Sequence, residues 1–93
     1  DTLTTINEKN NFGNKFHLFP NPSINELTVK FDINEKCVLH LIDAFGKSIY
    51  QKEIFPQEEQ ISITTSNLSE GIYFINIENE KKYSYKKKII ILK

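Results

Sequence analysis

Arginine is absent from this chain of 93 residues, cysteine occurs once, and glycine and proline occur three times each. Each scarcity excludes something. Without guanidinium groups the chain lacks the side chain that reads nucleic-acid bases in a bidentate fashion, so no nucleic acid is expected among its partners. Cys37 stands alone and cannot close an internal disulfide. Set in an apolar run, it reads as a small buried hydrophobe rather than a reactive thiol or a metal ligand. No apolar stretch approaches the roughly 20 residues of a membrane helix, so no membrane insertion is expected. No segment shows helical spacing over about 11 residues, and there is no glycine-rich phosphate loop. His17 and His40 are far apart and lack neighbours at metal-ligand spacing. Asp32-Ile33-Asn34-Glu35 lacks the glycine and the ligand count of a calcium loop. No Ser/His/Asp or Cys/His arrangement is legible. No catalytic residue, no cofactor, no metal site and no enzymatic activity are therefore expected.

What is present is a single small domain's worth of β-type sequence. Thirty-nine percent hydrophobic residues exclude global disorder. A chain of this length buries roughly 65% of its unfolded surface, enough for a core without metals or disulfides. Residues 1–15 are polar and rich in asparagine, with Leu3, Ile6 and Phe12 as isolated apolar points, and read as a mobile, protease-sensitive linker. From Phe16 onward the chain breaks into short runs bounded by turn residues: 16–19, 27–31, 37–42, 49–54, 61–64, 72–77 and 83–92. Leu27, Val29 and Phe31 alternate with Thr28 and Lys30, as do Ile61 and Ile63 with Ser62 and Thr64, the period of a half-buried strand. Seven such runs predict an all-β, two-layer antiparallel sandwich. Residues 67–70 read as a crossing between sheets, and residues 79–82 as a hairpin turn. Leu27, Val29, Phe31, Val38, Ile42, Ile61, Ile63, Leu68, Ile72, Phe74 and Ile89 are the expected core.

Four segments carry most of the remaining information. In Pro20-Asn21-Pro22-Ser23 each proline fixes its own φ and extends the residue before it, and Asn21 is placed to bond the local backbone. This makes a stiff turn that aims the first strand into the sheet, or a surface read by a partner. Asp43-Ala44-Phe45-Gly46-Lys47 has the glycine and the capping carboxylate of a tight hairpin. Leu68-Ser69-Glu70-Gly71-Ile72-Tyr73-Phe74 sets a glycine before a strong strand, and Tyr73 is expected to bury its ring while its hydroxyl finds a backbone partner. Finally, Lys81, Lys82, Lys86, Lys87, Lys88 and Lys93 place six charges in the last thirteen residues, with no acid among them. They either protect a sheet edge or form a basic docking strip. Pro20, Asn21, Pro22, Gly46, Lys47, Gly71, Tyr73, Lys86, Lys87 and Lys88 are the candidate recognition residues.

In this order, the four segments resemble the type A C-terminal sorting domain of the type IX secretion system of Bacteroidetes bacteria. The likeness rests on residues 18–23 with Leu27-Thr28-Val29, on 41–47, on 68–75 and on 87–91, and spans about 16–93. It implies a seven-strand immunoglobulin-like sandwich at the end of a secreted cargo protein. The cargo crosses the inner membrane by a separate N-terminal signal and passes the outer-membrane translocon. The resemblance implies a shuttle protein and a sortase-like protease as further partners, the protease usually cutting in the linker before the domain. The cargo is in the periplasm in transit, then at the cell surface or released. Cys37 and Phe45 depart from the family's usual residues. The chain opens on Asp1 and is expected to be the C-terminal piece of a longer protein. An accessory carbohydrate-binding or adhesive module is the competing function; it needs a row of exposed aromatics, for which only Tyr83, Tyr85 and Phe55 are available.

Overall fold

A computed structural model describes residues 15–93. The expected linker, apart from Lys15, lies outside the described residues. Seven strands follow in chain order: β1 (Phe16–Phe19), β2 (Glu26–Phe31), β3 (Cys37–Ile42), β4 (Ser48–Ile54), β5 (Gln60–Thr64), β6 (Gly71–Asn79) and β7 (Ser84–Ile91). They form two antiparallel sheets, ordered β1-β2-β5 and β4-β3-β6-β7. The chain changes sheet three times, after β2, β4 and β5, which gives the immunoglobulin-like sandwich that the sequence predicts.

The turns are made by the expected chemistry. In the β3–β4 hairpin Asp43 Oδ1 accepts from the backbone N–H of Phe45 and of Lys47, both at 2.9 Å, and Gly46 holds φ +89°. In the β6–β7 hairpin Asn79 Oδ1 accepts from the N–H of Lys81 and of Tyr83, both at 3.0 Å. Residues 65–70 cross from β5 to β6, between the sheets. Side-chain carboxylates and amides thus replace ladder partners where the strands stop.

The core lies between the sheets. Leu27, Val29, Leu39, Ile54, Ile75, Ile77, Ile89 and Ile91 are completely buried. Leu27, Val29, Phe31, Ile61, Ile63 and Ile89 are buried as expected. The two nearly continuous apolar runs, however, present the opposite face. In β3 it is Cys37, Leu39 and Leu41 that point inward, while Val38 and Ile42 are half-buried on the outer side. In β6 the inward set is Tyr73, Ile75 and Ile77; Ile72 is 46% exposed and Phe74 half-buried. Leu68 is also only half-buried, packing against the rim of the core. Both runs are apolar on both faces, so the pattern carries no phase. Register supplies it: Leu39 lies opposite Ile77 and Leu41 opposite Ile75, so the inward sets of β3 and β6 match row by row.

Cys37 is 1% exposed, with its Sγ donating to the Glu35 carbonyl at 3.6 Å. Burial, reinforced by the Glu35 carboxylate and opposed by Lys15, pushes the thiol from an ordinary value of 9.0 up to about 11. The native thiol will therefore resist labelling unless the protein is denatured. The sign of the pH dependence follows. The unfolded chain ionises this thiol first, so the stabilisation is complete below pH 9 and is lost as pH rises towards 11. Chemical denaturation of the native chain and of Cys37→Ala across that window should show the steeper alkaline loss in the native chain.

Candidate functional site

Strand directions bring three of the segments and the end of the fourth, residues 88–93, to one end of the sandwich, while Lys81 and Lys82 lie in the β6–β7 hairpin at the other. The β3–β4 turn follows Ile42, which pairs with Phe74 near the start of β6. Gly71, the first residue of β6, pairs with Ile91, the last of β7. The segment after β1 reaches the same place, because Ser23 forms a parallel bridge with Ile91. Phe16 sits at the opposite end, beside Phe31, and the Lys15 carbonyl there accepts from the N–H of Asp32 at 3.1 Å. Anything joined ahead of residue 15 therefore enters at that opposite end of the sandwich.

Pro20-Asn21-Pro22-Ser23 is a clip on the last strand. The peptide bonds before both prolines are cis. β7 lies at the edge of its sheet, and its outward-directed backbone groups at 88–92 would otherwise meet only water. Asn21 covers two of them: Nδ2 donates to the Lys88 carbonyl at 3.3 Å, and Oδ1 accepts from the Ile90 N–H at 3.1 Å. Ser23 covers the next two, with its N–H on the Ile90 carbonyl and its carbonyl on the Leu92 N–H, both at 2.8 Å. The expected local bond of Asn21 is thus corrected to one across the sandwich. A side-chain amide that mimics a peptide group serves a strand edge as readily as a turn.

Beneath the clip lies a buried polar pair. Ser23 and Thr65 are both completely buried, with their hydroxyls 3.2 Å apart, and Ser23 Oγ donates to the Glu26 carbonyl at 2.9 Å. The Thr65 N–H in turn donates to the Asn25 carbonyl at 2.8 Å. Lys93 adds an outer tie: its Nζ donates to the carbonyls of Thr65, at 3.3 Å, and of Ser66, and its N–H donates to Glu70 Oε1 at 3.3 Å. Ser23, though part of the proline turn, and Thr65 are in neither the expected core nor the candidate recognition set. The only sequence signal was a serine directly after the second proline; nothing in Thr64-Thr65-Ser66 marks which hydroxyl is inside. Ser23→Ala should cost about 1–3 kcal/mol, because it leaves the buried Thr65 hydroxyl without this partner. Thermal melts should show Ser66→Ala, at an exposed neighbour, close to the native chain.

Gly71 adopts φ +153° with open space where a side chain would begin, so its requirement is one of backbone conformation. Tyr73, two residues on, is 7% exposed, and its hydroxyl donates to the Ser69 carbonyl at 2.7 Å. This is the tyrosine corner that closes the passage from one sheet to the other in immunoglobulin-like sandwiches. Its ring is spent on the core and its hydroxyl on the backbone, so Tyr73 acts from inside the fold.

Pro20, Asn21, Pro22, Gly46, Lys47, Lys86, Lys87 and Lys88 are all exposed. Lys86 and Lys88 lie on the outer face of the four-stranded sheet, and the Lys86 ammonium sits 5.2 Å from the centroid of the Phe74 ring. Lys87 takes the other face yet remains exposed. The aromatics needed for a sugar platform are placed otherwise. Tyr85 stacks on Phe16 at 5.3 Å, burial raises its phenol pKa, and Tyr83 packs against the core; of these three candidates Phe55 alone is exposed, and Phe19, Phe45 and Tyr50 are exposed elsewhere. No group of three or more His, Cys, Asp or Glu among the described residues could hold a metal ion, and no helix there is long and apolar enough to cross a membrane.

The family model described as "Secretion system C-terminal sorting domain" matches residues 17–92. No curated protein matches the chain.

Proposed function

The chain belongs to the C-terminal sorting domain family of the type IX secretion system, and from that premise we propose that it directs an attached cargo through the outer-membrane translocon, by presenting the end of the sandwich where β7 finishes. Membership makes it an export signal, of a family that is normally non-catalytic, for a protein bound for the cell surface or the extracellular space, working with the type IX machinery on an N-terminal cargo. The finer steps are the proposal: periplasmic transit, delivery by a shuttle protein, and removal by a sortase-like protease cutting within or before residues 1–15.

One observation carries this reading. All four segments by which the sequence resembles the family meet at a single end, and the chain enters at the other. A signal placed there projects away from its cargo, free to be bound while the cargo trails. Most of the family-like residues serve that end by building it: Asn21 and Ser23 hold the last strand, Asp43 and Gly46 shape the hairpin, and Gly71 and Tyr73 set the start of β6. The surface lysines and prolines are what a partner can touch.

The test is export. Residues 1–93 are fused behind a periplasmic reporter in a type IX-competent bacterium, alongside the reporter alone. The fusion should leave the cell and the reporter should not, and the exported reporter should lack the domain. Retention of a folded fusion in the periplasm would sink the reading.

A further inference from the structure

We infer that the outer face of the four-stranded sheet, at the end where the four segments meet, docks a protein surface with carboxylates beside an apolar centre. The inference rests on the sorting-signal reading and names the surface and the chemistry of what it binds. The face is built row by row. His40 lies opposite Asn76 and Asn76 opposite Lys86; Ile42 lies opposite Phe74 and Phe74 opposite Lys88; Ile72 lies opposite Ile90. Alternation puts all of these on the side away from the core. Ile72 and Ile90 are 46% and 37% exposed, and Phe45, in the turn after Ile42, is 96% exposed. The result is a contiguous apolar area, with lysines along its β7 side, on a domain that has its core elsewhere. Such areas are costly to leave in water and mark contact surfaces.

Charge selects the partner. Lys88 has no carboxylate in its own row or in either neighbouring row. The carboxylates of this face, Glu53 and Glu78, flank Val38 towards the other end, and Glu53 pairs with Lys36 at 3.3 Å. Lys86 is held over the Phe74 ring, so the cation lies against the apolar area itself. An approaching surface must cover isoleucines and phenylalanine and also meet two cations, of which Lys86 has Glu78 in the adjoining row and Lys88 has no carboxylate in its own or a neighbouring row, and a protein with acids at the rim of an apolar centre does this. A sheet face suits another folded surface, since sheets pack face to face. Two lysines are few for holding a domain on an anionic bilayer, where clusters of four or more are typical.

The experiment uses residues 1–93 behind the periplasmic reporter, with each purified chain melted as a folding control. Lys86→Glu with Lys88→Glu, and separately Ile72→Ser with Ile90→Ser, should each lower export at least about tenfold while keeping a cooperative melt. Lys30→Glu with Gln60→Glu, a pair on the outer face of the other sheet, should export like the native fusion. Should a charge-reversed chain fail to fold, Lys86→Gln with Lys88→Gln takes its place, with a several-fold loss expected. Export of both folded face variants at the native rate overturns the docking surface and leaves the sorting reading intact; failure of the native fusion overturns both. Loss in the apolar pair alone overturns the acidic partner. Binding of the chain to phosphatidylglycerol vesicles that disappears in the lysine variant would make the occupant a membrane. A concentration-dependent dimer lost in the same variants would make it a second copy. Either result overturns the inference.

Discussion

Removal of residues 89–93 will leave the chain unfolded in water at 25 °C. Ile89 and Ile91 are completely buried, and they are the inward residues at the end of β7 that faces Tyr73 and Gly71. Truncating one such side chain to alanine typically costs about 2–5 kcal/mol, and deletion removes backbone as well. The clip then loses its substrate. The Asn21 Oδ1 bond to Ile90 and both Ser23 backbone bonds vanish, leaving a buried serine and threonine under an empty edge. Together these losses approach or exceed the whole stability of a small domain, about 5–15 kcal/mol. Circular dichroism should show no cooperative thermal transition, and amide resonances should collapse into a narrow band. Removal of Lys93 alone is the contrast. It loses a part-buried tie to residue 65 and exposed ties to residues 66 and 70, so a cooperative melt should survive, lowered by only a few degrees. A cooperative melt of the shorter chain within about 10 °C of the native one would show that β7 is dispensable.

Leu39→Ala should destabilise by about 2–5 kcal/mol while Val38→Ala, one residue away, costs about 1 kcal/mol or less. Leu39 is completely buried, opposite Ile77 on one side and Lys52 on the other; Val38 is half-buried, opposite Glu78 and Glu53. The same contrast repeats on β6, with Ile75→Ala severe and Ile72→Ala mild, because Ile75 is completely buried and Ile72 is 46% exposed. Equilibrium urea unfolding measures all four, and an equal m-value across them confirms that only stability has changed. If Val38→Ala and Ile72→Ala prove the costly pair, the strands carry the opposite faces inward.

That second experiment marks the boundary of what alternation can convey. β2 and β5 each face the core on one side and water on the other, so hydrophobic and polar residues alternate and the buried set is legible: Leu27, Val29, Ile61 and Ile63 are all inside. β3 and β6 are central in their sheet, and their outer face is itself apolar. Val38, Leu39, Leu41 and Ile42 are chemically alike, and nothing local tells which of them has a sheet above it. The candidate site divides in the same way. The two hairpins, and the tyrosine that buries its ring and bonds the backbone, are short-range chemistry, and each was readable from neighbours a few residues apart. The clip is not. Asn21 and its acceptor on Lys88 are 67 positions apart, and Ser23 and Thr65 are 42 apart.

From the sequence alone came the strand count, the places where the chain turns, the sandwich class, the buried thiol and the family, because these follow from residue chemistry within a few positions. Tertiary structure decided the phase of the apolar runs, the hold of Asn21 and Ser23 on the last strand, and the gathering of four separate segments at one end. Each of these depends on strand register and on which sheet edge faces which. Those are relations between residues far apart in the chain, and they exist only once the two sheets have closed on each other.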